Sequence, residues 1–243
     1  MAITLYQFKP AMGLPNASPF CIKLEMYLRM AQLEYKTVTL RGRPRSSTRK
    51  APYVDLDGAL LTDSGLIIAQ LERKFGNRVD GRLTLAQRAE ALAVQRMMEE
   101  HLYWVMVYGR WLDPDTRAES DAFIAGLTGI PRPLVAPVAP LIRRAVRRQL
   151  DGHGLGRHEP AVLWQMGITD VSALGHWLGS KSYAFGDTPT VTDACMASFI
   201  GCIARGWSNP LRAATLKYGN LIAHFERMMV AYFPEYQLAN RPT

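Results

Sequence analysis

Two patterns of apolar residues divide the chain. Up to about residue 76, short alternating runs are interleaved with amphipathic ones, and beyond it the apolar positions recur at helical spacing. Residues 3–8, ITLYQF, alternate and are rich in β-formers, so they predict a strand. The loop KPAMGLPNA then leads to Ser18. From Pro19 to about Gln32, Phe20, Leu24, Tyr27, Leu28 and Ala31 form the apolar face of a helix. YKTVTL at 35–40 predicts a second strand, which makes a βαβ unit with parallel strands. The basic segment 41–50 is too polar for a core helix and predicts a surface loop with at most a turn or two of helix. Tyr53–Leu56 and Ala59–Leu61 flank Asp57-Gly58, which supplies the positive φ of a tight hairpin, and Pro52 opens the first of these strands where a ladder N–H is not needed. Ser64 is a candidate N-cap for the helix GLIIAQLERKF, and Gly76 ends it.

FGNRVDGRL is a polar, turn-rich linker, and everything after it is helical in pattern. A long helix is predicted from about Leu85 to Trp111, broken by Asp113-Pro114, and another from Pro114 to about Leu127. GIPRPLVAPVAPLI is punctuated by prolines and matches neither period. An arginine-striped helix follows to about Leu150, then a Gly-rich turn at 151–158 and helices near 159–179, 191–205 and 211–232, with a frayed tail from Pro234. The resulting organisation is an α+β domain over 1–78, a linker at 79–84 and an all-helical domain over 85–243.

Composition narrows the function classes. A chain of 243 residues, 48% hydrophobic and 21% charged, buries a core. No basic-then-apolar leader opens it and no apolar run is long enough to span a membrane, so the expectation is a cytoplasmic protein without a membrane span. The net charge of +8 is concentrated at 41–50 and in RRAVRR at 143–148. Neither stretch carries aromatic interleaving or a nucleic-acid motif, so a solvated face or attraction of a small anion is expected and nucleic acid is not. Cys21, Cys195 and Cys202 make no disulfide framework, and neither they nor the five histidines show metal-ligand spacing, so no metal is expected.

The chemistry is concentrated at Ser18-Pro19-Phe20-Cys21. Ser18 is a good N-cap, proline suits the first helical position, and Cys21 falls at the third. A hydroxyl and a thiol thus share one helix N-terminus, whose partial positive charge favours a thiolate. The alternative is that Ser18 only caps and Cys21 only packs. Tyr6 sits inside the first strand and reads as a core residue.

Four stretches, in order, resemble the cytosolic glutathione transferases: Ser18-Pro19-Phe20-Cys21, Ala51-Pro52-Tyr53-Val54, Asp63-Ser64, and Gly186 to Asp193 with its Thr190/Asp193 capping box. SPFCIKLEMYLRM and KAPYV are most similar to the metaxin-like branch, which includes failed-axon-connections-like and bacterial transferase-like proteins. The resemblance implies the glutathione transferase fold, a thioredoxin-like βαβ-ββα domain followed by an all-α domain. It further implies glutathione as co-substrate, a cis bond before Pro52, and a homodimer. Ser18 and Cys21 become the catalytic candidates, with Phe20, Lys50, Ala51, Pro52, Asp63 and Ser64 binding glutathione. Tyr103, Tyr108 and Trp111 would hold a small apolar electrophile. Two alternatives stay open: a non-catalytic protein-interaction scaffold, and a glutathione-dependent disulfide reductase working through Cys21.

Overall fold

The computed structural model describes residues 2–40, 42, 44–128 and 131–237. Arg41 and Arg43 of the basic segment, and the tail beyond residue 237, lie outside the described residues. Strands β1 (Ile3–Gln7), β2 (Lys36–Thr39), β3 (Tyr53–Leu56) and β4 (Ala59–Thr62) form one sheet in the order β2-β1-β3-β4. β1 and β2 are parallel, as the βαβ pattern requires, and β3 is antiparallel to both β1 and β4. Asp57 (φ 52°) and Gly58 (φ 92°) turn the hairpin.

Helix α1 (Pro19–Met30) covers the sheet together with α2 (Ser64–Phe75). Leu24, Tyr27, Leu28 and Ala31 meet Ile3, Leu5, Val54, Ile67 and Leu71 in this first core. Between β2 and β3 no helix appears among the described residues. Ser46 instead ties the loop, its hydroxyl donating to the Lys50 carbonyl (2.7 Å) and accepting from the Lys50 N–H (3.1 Å).

The second half is helical: α3 (Leu85–Arg96), a π-helical segment (Met97–Leu102), α4 (Tyr103–Trp111), α5 (Arg117–Thr128), α6 (Arg132–His153), α7 (Pro160–Leu178), α8 (Val191–Ala204), α9 (Pro210–Thr215), α10 (Gly219–Tyr232) and α11 (Pro234–Gln237). Four details differ from the sequence expectation. The helix expected over 85–111 carries the π segment at its middle, and that expected over 211–232 is two helices. The chain from Pro234 is helical rather than frayed through Gln237. The proline-punctuated stretch opens α6, which carries Pro137 and Pro140 at exposed positions.

α8 is buried along its whole length and packs against α1 on the side opposite the sheet. Asp193 anchors its start, accepting from the Thr190 N–H and hydroxyl (2.7 Å each), the Ala184 N–H (2.7 Å) and His224 (2.8 Å). Sandwiched between sheet and α8, α1 buries its charged residues Lys23 and Glu25 and leaves Arg29 partly exposed. Lys23, 1% exposed, forms an ion pair with Glu99 of the π segment, whose other oxygen accepts from Arg96 at 3.1 Å. Glu25 accepts from Gln7 (2.6 Å), Tyr35 (3.0 Å) and Arg29 (3.2 Å).

Removing one member of a buried pair leaves an uncompensated charge. Lys23→Met should lower the unfolding free energy by about 3 kcal/mol, the lower end of that class because Arg96 still holds one Glu99 oxygen. The Lys23→Met/Glu99→Leu double variant should lose much less. Urea denaturation of the two variants checks this.

Candidate functional site

The N-terminus of α1 opens into a cleft of about 500 Å³ between the sheet domain and the helical half. Ser18, Phe20, Lys50, Ala51, Pro52, Asp63 and Ser64 line one side, and Tyr103 and Trp111 the other. Tyr108 is not among them. Successive residues of a helix are about 100° apart, so Tyr103, Val107 and Arg110 share a face while position 108 points away. Tyr108 packs instead on Trp164, ring centroids 5.3 Å apart, in a separate cluster with Leu112 and Leu163. Tyr6 also stays outside, stacked on Tyr53 at 4.6 Å.

Ser18 is extended (φ −97°, ψ 121°), and its carbonyl accepts the Cys21 and Ile22 N–H groups at 3.1 Å each. Its hydroxyl makes no capping hydrogen bond. Ser18 thus holds the expected N-cap position through its backbone alone, and its side chain meets the Cys21 thiol instead of a capping N–H.

Cys21 is fully buried and lies outside the cleft lining. Burial pushes its thiol up to about 12, against smaller opposing effects of the Ser18 side chain and the Phe8 backbone. The thiolate expected from the helix N-terminus is thus outweighed by desolvation.

At α2 the N-cap is Asp63, not Ser64. The Asp63 carboxylate accepts from the N–H groups of Gly65 (2.9 Å) and Leu66 (3.1 Å), with its backbone at φ 69°. This left-handed backbone brings Ser64, now the first helical residue, to the cleft wall. The Ala51-Pro52 bond is cis, as expected. Among the described residues, no hydrogen bond uses the Ala51 N–H or carbonyl, or the Ser64 N–H or hydroxyl. One wall therefore presents a free strand-like edge beside a helix start with unspent donors.

Sequence reading missed Arg96, Glu99, Arg110, Phe123 and Gln149. The helical spacing from Tyr103 to Arg110 was a usable signal for one of them. The others reach the cleft through the π segment and through the packing of α5 and α6, which no local pattern encodes.

Comparison with known proteins gives this arrangement a relation. A family model of the glutathione S-transferase N-terminal domain matches residues 19–116, and one of the C-terminal domain matches residues 167–228. The isoprene-epoxide–glutathione S-transferase of Rhodococcus sp. (strain AD45) is 34% identical over 239 residues, covering 95% of this chain and 99% of that protein. The chain belongs to the glutathione S-transferase family. Failed axon connections of Drosophila melanogaster is 32% identical over 96% of this chain, which spans only 59% of that protein's length. Human Metaxin-2 is 25% identical, covering 96% of this chain and 89% of that protein. Among solved structures, the β-etherase LigF of Sphingobium sp. strain SYK-6 shares the fold with a TM-score of 0.62 at 17% identity, covering 99% of this chain and 100% of that one.

In this transferase-family chain Cys195 and Cys202 are buried as fully as Cys21, and burial raises both thiols, Cys202 to about 11. A thiol reagent such as dithionitrobenzoate should therefore find no reactive cysteine in the native protein at pH 7.5, and all 3 in denaturant.

Proposed function

We propose that the chain is a glutathione S-transferase that joins the glutathione sulfur to a small apolar electrophile. An epoxide is the class suggested by the name of the Rhodococcus relative. The observation that carries this reading is the set of unspent polar groups on one wall of the cleft. A peptide laid along Ala51 would find both a donor and an acceptor, as an added strand does. A γ-glutamyl carboxylate suits the Ser64 hydroxyl and the N-terminus of α2, and the second Asp63 carboxylate oxygen suits the ammonium. Lys50 is the candidate partner of the glycyl carboxylate. The sulfur then falls to Ser18.

The residues present fit this co-substrate, and its chemistry is that of a thiolate. The Ser18 hydroxyl donates to the charged form of the sulfur and so favours it. With Tyr103, Trp104, Trp111 and Phe123 holding the electrophile, attack becomes a proximity effect. The sulfur forms a bond to a ring carbon, the carbon–oxygen bond breaks, and the oxygen takes a proton from water. A reductase working through Cys21 would need that thiol reachable and ionised, and burial opposes both.

The Ser18→Ala variant should retain its fold within about 0.5 kcal/mol, since no side-chain cap is lost. Its kcat/KM with glutathione and a small epoxide should fall roughly ten- to a hundred-fold. Steady-state kinetics beside urea denaturation separate the two effects. If the parent protein neither binds glutathione in calorimetry nor turns over, the non-catalytic scaffold replaces the enzyme.

A homodimer is part of the proposal. Leu60 on β4, Leu66 on α2, and Leu85 and Leu92 on α3 are all exposed, between 55% and 86%. Light scattering should give twice the chain mass for the parent and a shift toward monomer for Leu66→Glu.

A further inference from the structure

Arg110 is a charge without a counter-charge among the described residues. It leaves α4 toward the cleft at 9% exposure, and its Nη1 donates to the Ala17 carbonyl at 2.6 Å. Its Nη2 is buried without a hydrogen-bond partner among the described residues, and no carboxylate there stands within ion-pair distance of it. The rings of Trp207 and Phe123 lie 5.4 and 5.8 Å from the guanidinium carbon. Such contacts offset part of the desolvation of a buried cation and leave its charge uncompensated.

The surrounding elements supply no anion. The Cys202 thiol on α8 meets the Arg110 side chain, which lowers it in part, but burial dominates: Cys21 on α1 and Cys202 are pushed up to about 12 and about 11 and stay neutral at physiological pH. Burial likewise raises the Tyr103 hydroxyl on α4. Glu99 is held by Lys23 and Arg96, and Glu100 faces Arg96 at 3.7 Å. Asp63 caps α2. The loop before β3 contributes the cations Arg49 and Lys50, while Phe123 on α5 and Gln149 on α6 are uncharged.

We propose that Arg110 is the counter-ion of the glutathione thiolate, a positioning charge that acts through space on the sulfur at Ser18. This rests on the transferase reading above. Ala17 is bonded directly to Ser18, so the hydrogen bond to Ala17 fixes the guanidinium beside the residue assigned to the sulfur. On ionisation the S–H bond breaks heterolytically, the electron pair stays on sulfur and the proton leaves to water at the cleft mouth. Arg110 remains protonated throughout. A unit charge a few ångströms from the sulfur, in an effective dielectric of about 20, favours the thiolate by about one to two pH units.

The test is an ultraviolet difference titration of the bound glutathione thiol, read by thiolate absorbance, in the parent, Arg110→Met and Arg110→Lys. Calorimetry confirms glutathione binding for each. The expected result is a midpoint about one to two pH units higher in Arg110→Met, with Arg110→Lys restoring most of the difference. A midpoint unchanged in an Arg110→Met variant that still binds glutathione overturns the proposal. Should that variant not fold, Arg110→Gln carries the same test. The parent alone gives a further arm: it should bind glutathione sulfonate at least ten-fold more tightly than S-methylglutathione, and equal affinities also overturn the proposal. Absence of glutathione binding by the parent overturns the transferase reading itself, which distinguishes that failure from a failure of Arg110.

Discussion

Burial of α1 on both flanks is the constraint on which the rest of the structure depends. A helix packed only on a sheet can hydrate its charged residues on the far side. Here α8 occupies that side, so Lys23 and Glu25 must find partners inside the protein. Lys23 reaches Glu99 in the helical half, and this pair ties the two halves together immediately beneath the cleft. The site at the N-terminus of α1 is thus held by the same contact that makes the seam between domains tolerable to charge.

Polar groups in the seam divide into those the fold consumes and those it leaves open. Asp63, Asp193 and Glu99 are all engaged by helix starts or cations. The groups left open, at Ala51 and Ser64, gather on one wall with the Ser18 hydroxyl, whose partner is the buried Cys21 thiol. Arg110 adds a positive field to the same space, so the cleft as a whole is suited to a ligand with anionic ends and a polar backbone.

Much of the fold was legible because its signals are local. The alternation of ITLYQF, the Asp57-Gly58 turn and the period of α1 are short-range patterns, and the order in which they come specifies the βαβ unit and its hairpin. Ser18, Asp63 and Ser64 were legible for the same reason, each marking a helix start. What failed depended on distance. Desolvation of Cys21 comes with tertiary packing, which sets Cys202 of α8 near it, and reverses the sign expected from the helix terminus. The exchange of capping role from Ser64 to Asp63 needed a backbone at φ 69°, a region uncommon for non-glycine residues that no local pattern announces. Tyr108 was grouped with Tyr103 and Trp111 by composition when its angular position on the helix already separated them.

The π segment Met97–Leu102 turns its buried carboxylate, Glu99, toward α1, where it meets Lys23. Arg110 follows on the same rod close to three helical turns later, so it returns to that face and meets Ala17. One side of a single rod thus carries both the charge that joins the two halves and the charge that borders the cleft. A rotation of the rod about its axis would carry the two the same way.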